Sequence, residues 1–73
     1  MKGNIESAKL TPRELEVLNL IAQGKADKEI ATELRLSFRT VRYHVTNIFR
    51  KVNVSTRAEL IVSALSVASG DAA

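Results

Sequence analysis

Apolar residues recur at helical spacing along most of this chain, and four separate stretches each carry their own start and stop signals. The first opens at Thr11-Pro12-Arg13-Glu14, which supplies an N-cap, a proline at the first helical position and a capping-box glutamate. Leu15, Leu18, Ile21 and Ala22 follow on one face, Val17 and Leu20 widen it, and Gly24 stops the helix. Only Glu16, Asn19 and Gln23 make a plainly polar strip, so this helix is expected to be central, with Leu10 stapled against Leu15. A short second helix starts at an Asp27 cap, is favoured at its positive end by Glu29, and presents Ile30, Ala31 and Leu34.

After a tight Arg35-Leu36 connection, Ser37 caps a third helix expected over residues 38–52. At about 100° per residue, Val45, Ile48 and Val52 fall within about 40° of Val41, and Phe38 and Phe49 lie at the margin of that stripe. Arg42, Thr46, Arg39, Arg50 and Tyr43 take the opposite face, with Asn47 just beyond it and His44 at the core edge. The fourth helix is capped by Ser55 or Thr56, with Thr56 and Glu59 forming a second capping box, and runs to about Ser69. Leu60, Ile61, Ala64, Val67 and Ala68 serve its core face. Ala58, Val62, Leu65 and Ser69 form a second apolar row, which one small domain does not need unless a partner covers it. Residues 1–9 read as a tail or linker remnant, and residues 70–73 as a flexible tail behind a Gly70 stop.

The resulting class is all-α, in a single domain spanning residues 10–69. Seventy-three residues are few enough that every apolar face should be used. Without cysteine, neither a disulfide-stapled secreted module nor a Cys-based zinc finger is possible, and a lone histidine does not make a metal site. No apolar run is long enough to span a membrane and no signal-peptide stretch opens the chain, so a cytoplasmic location is the simplest expectation.

Charge alters the picture more than composition does. Residues 35–57 contain Arg35, Arg39, Arg42, Arg50, Lys51 and Arg57 and no acid, although the whole chain is only +3. A strongly cationic element thus sits on a mildly acidic body, and segregation of this kind draws a polyanion to one face. The short helix carrying Ile30-Ala31 and Leu34, the Leu36-Ser37 turn and Val41 on the next helix together follow helix-turn-helix logic. The small Ala31 allows close crossing, while Arg35 occupies a turn position where glycine is common and therefore implies strain unless the connection is a residue looser.

At this point the chain resembles the LuxR family of bacterial transcription regulators, also described as the NarL/FixJ output domain. The matching residues are Leu10-Thr11-Pro12-Arg13-Glu14, Glu16-Val17-Leu18, Gly24, Lys28-Glu29-Ile30-Ala31 and Leu34. They continue through Ser37, Arg39-Thr40-Val41-Arg42, His44, Ile48, Lys51, Val54 and Arg57-Ala58-Glu59, so the likeness covers about residues 10–68. The resemblance implies a four-helix domain with helices 2 and 3 as the DNA-binding unit and helix 4 as a dimerisation helix. It also implies an output module coupled to a receiver or sensor domain, as in a response regulator; RNA polymerase is a further candidate partner, the kind of surface an adaptor reading of the fold would dock on. Asp27 stands where the family commonly has asparagine.

Candidate contacts follow from the helix faces. Arg42 can bind guanine O6 and N7 bidentately or hold a phosphate, and Arg39, which opposes its own helix dipole, is expected either to contact DNA or to be solvated. Tyr43 can stack on a sugar, touch a thymine methyl or merely cover the helix edge. Thr46 and Asn47 have base or phosphate reach or are solvated, and Arg50 lies where a phosphate is expected. Lys28 and Thr40 are expected phosphate anchors near helix starts. His44 is expected to be bonded to backbone, and Lys51 and Arg57 to be ordinary surface charges. Ala58, Val62 and Leu65 are the expected weak homodimer contacts.

The charge pattern argues against a protein adaptor, which needs no acid-free outward helix. A sigma-factor region 4, which shares the Thr-Pro-Arg-Glu opening, is the nearest alternative DNA binder. The sequence offers no nucleophile–base pair, no phosphate loop and no metal cluster, so no enzyme activity and no cofactor are expected. The third helix has a core-width apolar face without Trp anchors, which disfavours membrane binding.

Overall fold

A computed structural model describes the backbone of residues 8–72 and the side chains of residues 8–65. The described residues form four helices: α1 (Pro12–Ala22), α2 (Asp27–Leu34), α3 (Phe38–Val52) and α4 (Arg57–Ala72). α1 packs against all three others, and α3 packs on α1 and α2. α1 is therefore central, as its near-continuous apolar surface requires. The core consists of Val17, Leu18, Leu20 and Ile21 from α1, Ile30 and Ala31 from α2, and Val41, Val45, Ile48 and Val52 from α3, closed by Val54 and Leu60. Ile21, Ile30, Val41, Ile48 and Leu60 are completely buried.

Local chemistry sets the helix starts. Thr11 and Glu14 form the full capping box on α1, with Glu14 N donating to Thr11 Oγ1 at 3.1 Å and Thr11 N donating to Glu14 Oε1 at 3.0 Å. Ser37 caps α3 by accepting from Thr40 N at 3.0 Å. Thr56 and Glu59 make the reciprocal pair at the start of α4. α2 differs from expectation. Its N-cap is Ala26, which has no side-chain acceptor, and Glu29 Oε1 reaches back to Ala26 N at 2.8 Å. Asp27 is the first helical residue and is not the cap.

Three helices end on a left-handed residue, at Gly24, Arg35 and Asn53 (φ 89°, 57° and 62°). At α2, Leu36 N donates to Ala31 O and Arg35 N to Thr32 O, which is a Schellman closure. It turns the chain sharply into α3, but it places an arginine where a Cβ is disfavoured. α4 runs through Gly70 to Ala72, past the expected stop, because a single glycine weakens a helix without breaking it. Val67, Ala68 and Ser69 lie outside the described side chains.

Two apolar expectations fail. Leu15 is 45% exposed, because the buried arc of α1 centres on Ile21, far around the helix from it; Leu10 instead packs on the core. Phe38 is 54% exposed. Helical side chains lean toward the N-terminus, so a ring in the first turn points past the end of its helix.

The buried arc of α1 also takes in Glu14, four residues before Leu18 and seven before Ile21, and this carboxylate is only 3% exposed. Its Oε1 accepts from Lys51 Nζ at 2.7 Å as well as from Thr11 N, tying the end of α3 to the start of α1. Lys51 is thus a structural tie and not a free surface charge. Burial pushes the Glu14 carboxyl up, but the hydrogen bonds from Lys51 and Thr11 and the ammonium charge outweigh it, so its pKa lies below the usual glutamate value.

A group depressed in the folded state adds stability above its unfolded value of about 4.3 and loses it as the pH falls through the lower folded value. Glu14→Gln keeps the capping geometry and removes the charge. It is expected to cost about 1 kcal/mol at neutral pH, with the difference from wild type vanishing once acid protonates Glu14. Urea unfolding at several pH values checks this, and a difference independent of pH would contradict it. Arg35→Gly should raise stability by about 0.5 kcal/mol by relieving the left-handed strain. A lower denaturation midpoint would show that the arginine side chain outweighs the strain.

Candidate nucleic-acid interface

The face of α3 opposite its core stripe is built by the same residues that build the core. With Val41, Val45, Ile48 and Val52 buried, Arg39, Arg42, Tyr43, Thr46 and Arg50 all emerge on the exposed side. Tyr43 is 65% exposed, and its ring meets His44 edge-on, with centroids 5.7 Å apart at 61°. Asn47 is half-buried at the margin. Thr40 is half-buried too, and its hydroxyl accepts from Ser37 Oγ at 2.9 Å. That bond leaves Thr40 Oγ1 its own proton to donate. Lys28 is exposed in the first turn of α2, the helix that packs on α3.

Among the described residues, Lys28, Arg35, Arg39 and Arg50 form no ion pair, whereas Arg13, Lys25, Lys51 and Arg57 all do. The first turn of α3 contains no acid, and Arg50 and Lys51 lie in its last turn. Lys9, ahead of α1, is also exposed without an ion pair among the described residues, and Arg42 is paired with Asp27; the other unpaired cations, Lys28, Arg35, Arg39 and Arg50, all lie in the helix-turn-helix unit. Field lines from such an arrangement leave through α3.

Two expected roles change. Arg57, expected to be a surface charge, donates Nη1 to Asp27 Oδ1 at 2.7 Å and Nη2 to the Lys25 carbonyl at 2.9 Å. It fastens the start of α4 to the start of α2. Asp27, expected as a cap, is buried and also accepts from Arg42 Nη1 on its other oxygen at 3.2 Å. Sequence reasoning missed this junction because its members are 15 and 30 residues apart. The available signal was an acid at the edge of an otherwise cationic unit. His44 Nδ1 is buried without a hydrogen-bond partner among the described residues, so that nitrogen does not make the expected backbone bond.

Arg42 and Thr46 also border a groove of about 390 Å³ that continues over Phe49 to Ser55, Thr56 and Arg57 at the start of α4. No group of three metal-ligating side chains occurs among the described residues, and no described helix is long and apolar enough to cross a membrane.

The chain is similar to several known regulators. It is 53% identical over 55 residues to the transcriptional regulatory protein LiaR of Bacillus subtilis, covering 75% of this chain and 26% of LiaR. It is 54% identical over 56 residues to the uncharacterised response regulatory protein YgeK of Escherichia coli, covering 77% of this chain and 38% of that one. The spore germination protein GerE of Bacillus subtilis is 46% identical over 56 residues, and there the match spans 77% of this chain and 76% of GerE. The chain thus spans well under half of LiaR and YgeK. Residues 8–64 match the family described as bacterial regulatory proteins, luxR family. With four helices, an exposed cationic face on the third and a family match over most of its length, this chain is a DNA-binding domain of the luxR family of bacterial regulatory proteins.

Proposed function

We propose that the chain is the output domain of a response regulator and binds double-stranded DNA sequence-specifically, with α3 in the major groove. The observation that carries this reading is the exposed face of α3, where Arg39 and Arg50 lack internal partners on a helix whose rotation the core fixes. α3 has 15 residues and is about 22 Å long at the standard rise, enough to lie along a groove. Lys28, Thr40 and Arg50 hold phosphates, and Arg39, Arg42 and Tyr43, with Thr46 and Asn47 beside them, meet bases or nearby backbone. Two copies pair weakly through α4, where Ala58, Val62 and Leu65 are exposed; Val62 is 62% and Leu65 52% accessible. Such a pair sets two α3 helices on half-sites about one DNA turn apart. A receiver or sensor domain supplies the signal and RNA polymerase receives it. The likeness to proteins described as response regulators, YgeK among them, supports the receiver part of that assignment.

Selection from a random duplex library, followed by anisotropy titration at several salt concentrations, tests the reading. The expected result is an enriched repeat at one-turn spacing and affinity that falls steeply with salt. An absence of binding at low salt would redirect α3 to a protein partner.

On the selected operator, Arg42→Ala should cost about 1–3 kcal/mol, with little change on random DNA. An equal loss on both would assign Arg42 to a phosphate. Val62→Glu or Leu65→Glu should weaken binding to the two-half-site operator while leaving single-half-site binding and thermal stability unchanged. Undiminished two-site binding would remove α4 from the dimer.

A further inference from the structure

Asp27 is an anomaly in a cationic DNA-binding unit: an almost fully buried carboxylate at the start of α2, next to the α3 face. Helix capping does not account for it, because Glu29 takes the Ala26 N–H. Anchorage of Arg57 accounts for one oxygen only. Arg57 is committed through both terminal nitrogens, to Asp27 Oδ1 and to the Lys25 carbonyl, which fixes the carboxylate in place. The second oxygen, Oδ2, is directed to Arg42 Nη1 at 3.2 Å, while the Arg42 side chain remains 62% exposed.

The geometry of that contact matters. Nη1 is the terminal nitrogen on the Cδ side of the guanidinium, so engaging it leaves the parallel Nε–Nη2 edge of Arg42 free. That edge is the fork that meets two acceptors at once, such as O6 and N7 of one guanine. An arginine tethered at one end and open at the other presents its fork in a fixed register. Its freedom to swing onto a neighbouring phosphate is reduced, and less side-chain entropy is lost on docking.

We infer that Asp27 is a positioning residue for Arg42, holding the guanidinium so that its free edge reads a base pair. This inference rests on the reading of Arg42 as a base contact. Asp27 also sets a local negative charge beside the groove face, which lowers affinity for DNA that offers only phosphates. Discrimination, more than overall affinity, is then what Asp27 supplies.

The test compares wild type, Asp27→Asn, Arg42→Ala and the double variant, on the selected operator, on its single-base-pair variants and on random duplex. The asparagine keeps an amide oxygen for Arg57 and removes the charge that holds Arg42. Asp27→Asn should lose about threefold to tenfold in discrimination at the base pair that Arg42→Ala also relaxes. Affinity for random DNA should be equal or higher, and the double variant should show no further loss. Full discrimination in Asp27→Asn, with Arg42→Ala relaxed, would overturn the inference and leave the base contact standing. Equal losses by Arg42→Ala on every duplex would overturn the base contact and the inference with it.

A measurement on the unaltered protein covers the case in which Asp27→Asn does not fold. The side-chain ¹⁵N spectrum of Arg42, assigned by its loss in Arg42→Ala, should show two resolved Nη signals from hindered rotation in the free protein. A single averaged signal would overturn the inference.

Discussion

Burial of one stripe on α3 fixes everything that faces DNA. Val41, Ile48 and Val52 are essentially inaccessible and Val45 nearly so, against a core that α1 supplies from its centre. Once those four are seated, α3 cannot rotate about its axis without exposing aliphatic side chains, at about 1.5–3 kcal/mol for each one lost from the core. The outward directions of Arg39, Arg42, Tyr43, Thr46 and Arg50 follow without any contact of their own. A rigid core and a readable surface are therefore two faces of one 15-residue helix.

The acids complete this arrangement by working inward. Glu14 closes the α1 cap and holds Lys51, Glu29 closes the start of α2, and Glu59 closes the start of α4. Glu16 pairs with Arg13 and Glu33 with Lys25 on the body. Asp27 joins α2 to both α3 and α4. Each acid with a described side chain is thus occupied within the domain. Of the cations in residues 35–57, Arg42, Lys51 and Arg57 are met by these acids, and Arg35, Arg39 and Arg50 are left at the surface, where a polyanion can answer them.

The four helices were legible because their periodicity and end signals are local. Thr11-Pro12-Arg13-Glu14, Ser37 and Thr56 with Glu59 announce the starts at which α1, α3 and α4 begin. The α3 wheel separates core from outward positions for the same reason, with Phe38 the exception because it lies in the first turn. What remained hidden is non-local or context-dependent. Lys51 and Arg57 looked like surface charges because their partners, Glu14 and Asp27, are 37 and 30 residues away. Asp27 looked like a cap because aspartate is common at that position, yet Ala26 takes the N-cap and Glu29 closes it. Glu14 was recognised as a capping residue, but its burial became apparent only when its position was set against Leu18 and Ile21. Arg35 shows the opposite case: its strain was anticipated from the missing glycine, and its positive φ is where the helix-turn-helix closes.

The central claim is that the outward face of α3 meets the DNA. Backbone amide and arginine side-chain NMR during titration with a short duplex tests this most directly. The account predicts that perturbations concentrate on Arg39, Arg42, Tyr43, Thr46 and Arg50, with a lesser group at the start of α2 around Lys28. Perturbations centred on α4 or on the exposed side of α1 around Leu15, with α3 unmoved, would contradict it.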